Sequence, residues 1–234
     1  MSPDPSDAIG GVSPDPTAPV LARARTYFGS FAAEYDTSAA EVGWVPNQLL
    51  AEALTRMGPV RDALDLACGT GATLAVMRRC RPDAALTGVD LCAPMLDRAR
   101  AAVPDVRYVL ADVAAHVACA AAAGDRFDLV TAIGCLEFTD DAPAVLTDAR
   151  RLVRPGGHLI VTYEPVIVGW EPQELRAETN LGSNGLELTT FRWEPGEVTA
   201  GFDGWHTVRD RLVVAYQRDE LPTLYGWLHC RRDS

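Results

Sequence analysis

The run with the most chemical promise is Ala63 to Thr73, ALDLACGTGAT. Ala63 to Ala67 is apolar apart from one acid, Asp65. Gly69 and Gly71 follow, and Leu74, Val76 and Met77 then recur at helical spacing. The pattern predicts a strand, a tight glycine turn and a helix. Glycine lets backbone come close to a ligand where a Cβ would stand in the way. The helix start behind the turn offers unpaired N–H groups and the positive end of a dipole. A dinucleotide fingerprint, G-x-G-x-x-G, needs a third glycine for close helix–strand packing. Position 74 is Leu, and Asp65 places a negative charge where a pyrophosphate would not favour one. A nicotinamide oxidoreductase is therefore the weaker reading of this turn.

Further acids follow at intervals. Asp90 comes nineteen residues after Gly71 and ends the second predicted strand. A carboxylate there can accept hydrogen bonds from both hydroxyls of a ribose. Leu91 and Met95 follow it, placed either to pack on a base or to fill the core. Asp112 ends the third strand, as a ligand contact or as a plain helix cap. Glu137 and Phe138 come directly after the fourth strand. Glu137, Glu164, Tyr163 and His206 are candidate general bases, and no spacing selects among them. Glu137 is preferred, with His206 second, because Glu137 follows the edge of strand four directly. Upstream, Phe31, Tyr35 and Asp36 form one aromatic and acidic wall in the stretch FAAEYD.

These residues, in this order, resemble the class I S-adenosylmethionine-dependent methyltransferases. Asp65, Cys68, Gly69 and Gly71 match the family's D-x-x-C-G-x-G motif. Phe127 to Asp141 is similar to its fourth motif, and Arg151 to Thr162 to the segment after it. The resemblance covers Ala63 to Glu164, nearly half the chain. It implies that S-adenosyl-L-methionine is the cofactor. Asp65, Ala67, Gly69 and Gly71 would hold its methionine part, and Asp90 its ribose. Leu91 and Met95 would pack on the adenine, while Asp112 and the backbone after it, at Val113, would bond the adenine edge. Ile133 and Gly134 would lie beneath the methionine part, and Tyr35 would close the near wall. The resemblance also implies methyl transfer to an acceptor. The terminal hairpin looks most like the Williams–Beuren-type and TPR-associated members. A non-methylating enzyme or accessory protein on the same fold is the alternative, because fold does not fix chemistry.

The elements that must position these residues alternate. Strands are predicted at Ala63–Ala67, Ala84–Val89, Arg107–Leu110, Phe127–Ile133 and Gly157–Tyr163. Helices lie between them at Ala72–Arg79, Pro94–Val103, Ala114–Ala123 and Pro143–Leu152. Such alternation calls for an α/β, doubly wound, mostly parallel sheet with its ligands at the strand C-terminal ends. Gly196–Phe202 reads as a last helix. His206–Tyr216 and Leu224–His229 read as a terminal antiparallel hairpin, giving seven strands in the family order 3-2-1-4-5-7-6. Residues 20–57 are a helical cover, with Asp36–Val45 read as a loop and Trp44 poised between ligand contact and core cap. Residues 165–195 show no single period and are too long for an ordinary connection. They are read as a lid over the acceptor. Residues 1–19, proline-rich with SPDP repeated, are expected to be a disordered tail. The rest, residues 20–234, is expected to be one domain.

Composition narrows the partners. The net charge is -11, which disfavours binding to nucleic acid through its phosphates. No run approaches the ~20 apolar residues that a membrane span requires, and no signal peptide is recognised. The six cysteines form no C-x-x-C pair and the four histidines no cluster with them, so no metal is expected and the natural compartment is the reducing cytoplasm. The partner expected is a small-molecule acceptor, in secondary metabolism on compositional grounds. The oligomeric state is not legible.

Overall fold

Strand β1 (Asp62–Leu66) is the middle of the molecule. Four of its five residues are buried, because helices cover both of its faces. It pairs in parallel with β2 (Ala85–Asp90) on one side and β4 (Phe127–Ala132) on the other. Beyond them lie β3 (Arg107–Leu110), parallel to β2, and β5 (Val153–Tyr163), parallel to β4. The long hairpin β8 (Trp205–Arg218) and β9 (Leu221–Arg232) completes the sheet, with β9 antiparallel to β5. The seven-stranded order is β3-β2-β1-β4-β5-β9-β8, the order expected. The computed structural model describes residues 20–170, 173–182, 184–218 and 220–234. The tail expected over residues 1–19 lies outside the described residues.

The connecting helices start at residues suited to a helix N-terminus, two of them with a side-chain cap. Gly71 caps α4 (Ala72–Cys80) in the left-handed region, φ 89°, which glycine adopts without steric cost. Pro94 falls in the first turn of α5 (Ala93–Ala102), where no donor is lost. Asp112 caps α6 (Val113–Ala123) by accepting from the Ala115 N–H, and Gly124 ends it at φ 83°. Asp141 caps α7 (Ala142–Arg151) in the same way through the Ala144 N–H. One core on α6 and α7 holds Val117, Leu146 and Leu159. The other, on α3 (Pro46–Arg56), α4 and α5, holds Leu50, Leu74 and Leu96. Each such side chain contributes about 1.5–3 kcal/mol when fully buried. At the strand starts, Arg154 bonds Asp62 at 2.7 Å and Asp128 at 2.9 Å, tying β1, β4 and β5 together.

The structure changes three of the expectations. Asp36–Val45 is not all loop, since α2 spans Tyr35–Glu41. It has no buried residue, so it lacks the apolar stripe by which helices are read. The 165–195 segment is not shapeless either: β6 (Ala177–Leu181) and β7 (Glu187–Phe191) form a separate two-stranded sheet. The terminal hairpin is longer than expected, its strands being 14 and 12 residues. A short helix, α8 (Pro195–Thr199), precedes it and carries a capping box between Glu194 and Glu197.

Candidate active site

The C-terminal ends of β1, β2, β3 and β4 open into one cleft with two lobes that meet at Tyr35, Ala67, Gly69 and Gly134. The first lobe lies between the ends of β2 and β3 and the helix α1 (Val20–Phe31). Asp90, Leu91, Met95, Asp112 and Val113 line it. Its empty space, counted out to the mouth, is about 770 Å³, within the range of small-ligand sites. The second lobe runs under α2 toward Trp44, Asn47, Thr70 and Ile133.

The turn at β1 is tied to its neighbours by carboxylates. Asp90 accepts from the Gly69 N–H at 2.8 Å through one oxygen and from the Cys92 N–H at 2.9 Å through the other. Each oxygen keeps a lone pair for further donors. Burial raises the Asp90 pKa, and these backbone bonds oppose the shift. Gly69 sits at φ 53°, and a Cβ added there would meet no protein atom within 4 Å; it would project into open space. Thr70 Oγ1 donates to Asp36 Oδ1 at 2.5 Å, fastening the FAAEYD wall to the turn.

Asp65 does not line either lobe. It lies sealed beneath them, 1 % exposed, with Thr131 donating to Oδ1 at 2.6 Å and no protein partner for Oδ2. Burial pushes its carboxyl up to about 7. An unpartnered carboxylate oxygen buried at this depth favours a neighbouring cation.

Gly71 is also turned away from the cleft. A Cβ there would meet Ala99 on α5 at 3.2 Å, so its glycine is required by helix packing and by its φ. Asp112 combines two of its readings, capping α6 through Oδ1 while lining the first lobe. Tyr35, Ala67, Leu91, Met95, Val113, Ile133 and Gly134 are all brought to the cleft. His206 is not. It pairs with Arg231, which pairs with His158 in the middle of β5, away from the strand end at Tyr163 that faces the cleft side. The antiparallel sense of the hairpin puts it there, and it does not serve the cleft as a base.

Several further residues line the cleft. Leu21, Ala24 and Phe28 of α1 cover the first lobe, and Phe28 packs edge-on against Phe138 at 5.0 Å between ring centres. Cys92 and Cys135 line that lobe and Cys68 the second. All three are buried, whereas Cys119 on α6 is exposed. Behind the second lobe, Tyr225 of β9 donates to Glu137 Oε1 at 2.8 Å. Its ring meets Trp44 edge-on at 5.6 Å. The helical spacing of α1 is the one signal that pointed to the cover; the Tyr225–Glu137 pair spans 88 positions, which no motif can show.

A methyltransferase-domain family model matches residues 64–161. The malonyl-[acyl-carrier protein] O-methyltransferase of Pseudescherichia vulneris is 32 % identical over 192 residues, covering 75 % of this chain and 72 % of its own. The chain belongs to the class I S-adenosylmethionine-dependent methyltransferases. The cofactor of that family is S-adenosylmethionine. Among other relatives, the trans-aconitate 2-methyltransferase of Enterobacter sp. (strain 638) is 37 % identical over 113 residues, 47 % of this chain and 43 % of its own. The bifunctional biotin biosynthesis protein BioHC of Saccharophagus degradans is 29 % identical over 83 % of this chain. The chain spans only 43 % and 35 %, respectively, of the length of these last two relatives. In fold it is similar to the magnesium protoporphyrin IX methyltransferase of Synechocystis PCC 6803 with bound SAM. The TM-score is 0.63 at 14 % identity, over 94 % of this chain and 100 % of that one.

Two features fit this methyltransferase chain to its cofactor. The buried Asp65 Oδ2 suits the ammonium of the methionine part, and the open face of Gly69 suits close approach of a ligand to backbone.

Proposed function

We propose that the protein transfers the methyl group of S-adenosylmethionine to a small-molecule acceptor. The observation that carries this is Asp90, which braces the glycine turn with both oxygens and still lines the cleft. In this reading Asp90 binds the ribose hydroxyls and Asp112 and Val113 meet the adenine edge. Leu91 and Met95 pack on the ring, Asp65 offsets the ammonium, and Gly69 and Gly134 admit the methionine chain. The bound cofactor supplies an activated methyl sulfonium. What the chain adds is position. Alignment of donor and acceptor offers up to about 7–11 kcal/mol of the barrier.

Tyr35 and the helices of residues 20–57 form the cover in this reading, and residues 165–195 the lid. Both lie at the same edge. β7 sits against α1, with Asn184 bonded to Ser30 at 3.0 Å and Arg23 3.8 Å from Glu187. A nucleic-acid acceptor is disfavoured by the chain's negative charge. No helix among the described residues is long and apolar enough to cross a membrane. The six cysteines are free, which fits a reducing compartment.

The test is direct. Calorimetry should show binding of S-adenosylmethionine and of its demethylated product. Radiolabelled methyl should then pass to at least one member of a panel of small molecules. Binding of a nicotinamide dinucleotide in place of either cofactor form would defeat the reading. Tight cofactor binding with no transfer across a broad panel would favour a non-methylating role on the same fold.

A further inference from the structure

The second lobe is larger than the cofactor needs. In the cofactor reading, the methionine part is received where the lobes meet, at Ala67, Gly69 and Gly134. Beyond that junction the lobe runs on beneath α2, and its empty space, counted out to the mouth, is about 1100 Å³. That is the scale of a small-ligand site in its own right. The chain between α2 and α3 gives this space a fixed wall, because it is tied to β8. The Val45 N–H donates to the Ala215 carbonyl at 2.8 Å, and the Gln217 N–H to the Val42 carbonyl at 3.0 Å. Gly43, at φ 72°, makes the turn before Trp44. A Cβ on Gly134 would come 3.3 Å from the Trp44 ring, so the indole lies directly over the end of β4. Tyr225 and Tyr216 brace it, with ring centres 5.6 and 6.0 Å away.

The lining is short of charge. Asp36 is the one charged side chain among the described residues of this lobe, and it is already engaged. Thr70 donates to Oδ1 at 2.5 Å, and Arg98 stands 3.9 Å from Oδ2. Glu137 lines neither lobe. A charged acceptor would give up water for groups that carry no counter-charge. What the lobe offers is neutral and polar. Thr73 donates to Asn47 Oδ1 at 3.2 Å, which leaves both Asn47 amide hydrogens to donate elsewhere. The Trp44 indole N–H and the Gln48 amide bond no described residue, and both residues line the lobe. Ala39, Ala40 and Gly43 line the same space with nothing longer than a methyl group, so a flat ring can lie along them.

We propose that the second lobe is the acceptor site and takes a flat, uncharged, carbonyl-bearing ring compound, stacked on Trp44 and read by Asn47 and Gln48. The inference rests on the methyltransferase reading above and deepens it. Stacking on a braced indole favours a planar ring over a puckered one of the same size. The donors at Trp44, Asn47 and Gln48 favour a carbonyl oxygen, and an acceptor without one leaves them unpaired. In the transfer, the acceptor's lone pair forms the bond to the methyl carbon. The carbon–sulfur bond breaks with its electron pair left on sulfur. The acceptor's proton leaves to water at the mouth, where Asp36, Ala40 and Gln48 are exposed.

Binding, not turnover, tests this. The full chain saturated with S-adenosylhomocysteine is titrated by calorimetry with four compounds of one shape. They are naphthalene-2-carboxamide, naphthalene-2-carboxylate, 2-naphthylmethylamine and the saturated decahydronaphthalene-2-carboxamide. The aromatic carboxamide should bind at least ~10-fold tighter than each of the other three. Trp44→Leu keeps an apolar group over Gly134 and should erase the preference for the flat ring over the saturated one. Asn47→Leu should weaken the aromatic carboxamide ~10-fold and leave that preference standing. Both variants should hold S-adenosylhomocysteine within ~3-fold of wild type. Should either fail to fold, Ala40→Leu narrows the lobe from its exposed side and should weaken the aromatic carboxamide ~10-fold. Any of the other three compounds bound as tightly as the aromatic carboxamide, no binding of that compound, or variants that leave its affinity unchanged would overturn the proposal. So would loss of S-adenosylhomocysteine affinity in both variants, which would give these residues to the cofactor. Failure of the wild type to bind S-adenosylhomocysteine would instead strike the methyltransferase reading.

Discussion

In the cofactor reading proposed above, Asp65 offsets the ligand's ammonium while the same burial costs the fold stability. Replacing it with Asn removes a charge that the free protein must seal away. At pH 8 the ligand-free Asp65→Asn variant should melt higher than wild type, by about 2–4 °C for each kcal/mol relieved. Its affinity for S-adenosylhomocysteine should fall ~10-fold or more, since hydrogen bonds to charged groups are worth about 1.5–3 kcal/mol. Scanning calorimetry with and without ligand measures both; a variant that loses on both counts would mean Asp65 is purely structural. Asp90 differs because the fold also relies on it. Asp90→Ala strands the Gly69 and Cys92 N–H groups, at about 1–3 kcal/mol for each one left unsatisfied. Asp90→Asn keeps an acceptor and should melt closer to wild type while still losing ligand affinity. These acids were legible in the sequence because Asp65 is the one acid in an apolar run before a glycine turn and Asp90 ends a strand. Tyr225 was not, because only the pairing of β9 with β5 brings it to Glu137.

At the scale of elements, the parallel strands and their helices were readable to within a few residues, since apolar runs and glycine turns alternate clearly. The helices α1 and α3 of the cover were readable from their spacing, whereas the two strands of the 165–195 segment were not, because their order comes from pairing with each other and from contact with α1. The base of the lid is firmly held. Gln173, wholly buried, bonds the backbone of Leu224 in both directions at 2.7 and 2.8 Å, and Trp193 donates to the Leu136 carbonyl at 3.0 Å. The tip meets α1 through exposed groups such as Asn184 and Ser30. Hydrogen exchange should therefore be slow around Gln173 and Trp193 and fast at the β6–β7 tip. Bound S-adenosylhomocysteine should slow exchange in α1 and β7; identical rates with and without ligand would remove the lid role. The terminal hairpin has its own tight point. A Cβ on Gly226 would fall 2.2 Å from the Tyr163 ring, where something must shift. Gly226→Ala should lower the melting temperature by several degrees and disturb Tyr225 next to it, with overpacking costs of about 1–3 kcal/mol. An unchanged melting curve would show that Tyr163 swings aside freely.

The whole molecule carries opposed buried charges, and its stability follows pH accordingly. Asp65 and Glu137 hold their protons more tightly folded than unfolded, with values raised from 3.8 to about 7 and from 4.5 to about 8. Their contribution is full below the ordinary carboxylate range and is lost as pH rises through these values. His229 on β9 works in the other direction. Its ring lies 2.9 Å from that of His158, and burial lowers it from 6.5 to about 4. Its contribution is full above 6.5 and is lost as pH falls. Between pH 6.5 and 8 only the carboxyl effect operates, so unfolding free energy should decline across that window. Saturating S-adenosylhomocysteine should flatten the part of the decline due to Asp65. Denaturant titrations at several pH values check this, and stability rising from pH 6.5 to 8 would contradict it.

The placement of the cysteines makes the protein its own occupancy gauge. Cys92 and Cys135 face one lobe and Cys68 the other, all buried, while Cys119 lies exposed on α6. Burial raises the thiol pKa at each of the three cleft positions, so little reactive thiolate is present there. An alkylating reagent should mark Cys119 at once and the cleft thiols slowly. A ligand filling the first lobe should slow Cys92 and Cys135, and one reaching under α2 should slow Cys68 as well. Peptide-resolved mass spectrometry would then report which part of the cleft a candidate acceptor occupies, with Cys119 as the internal clock.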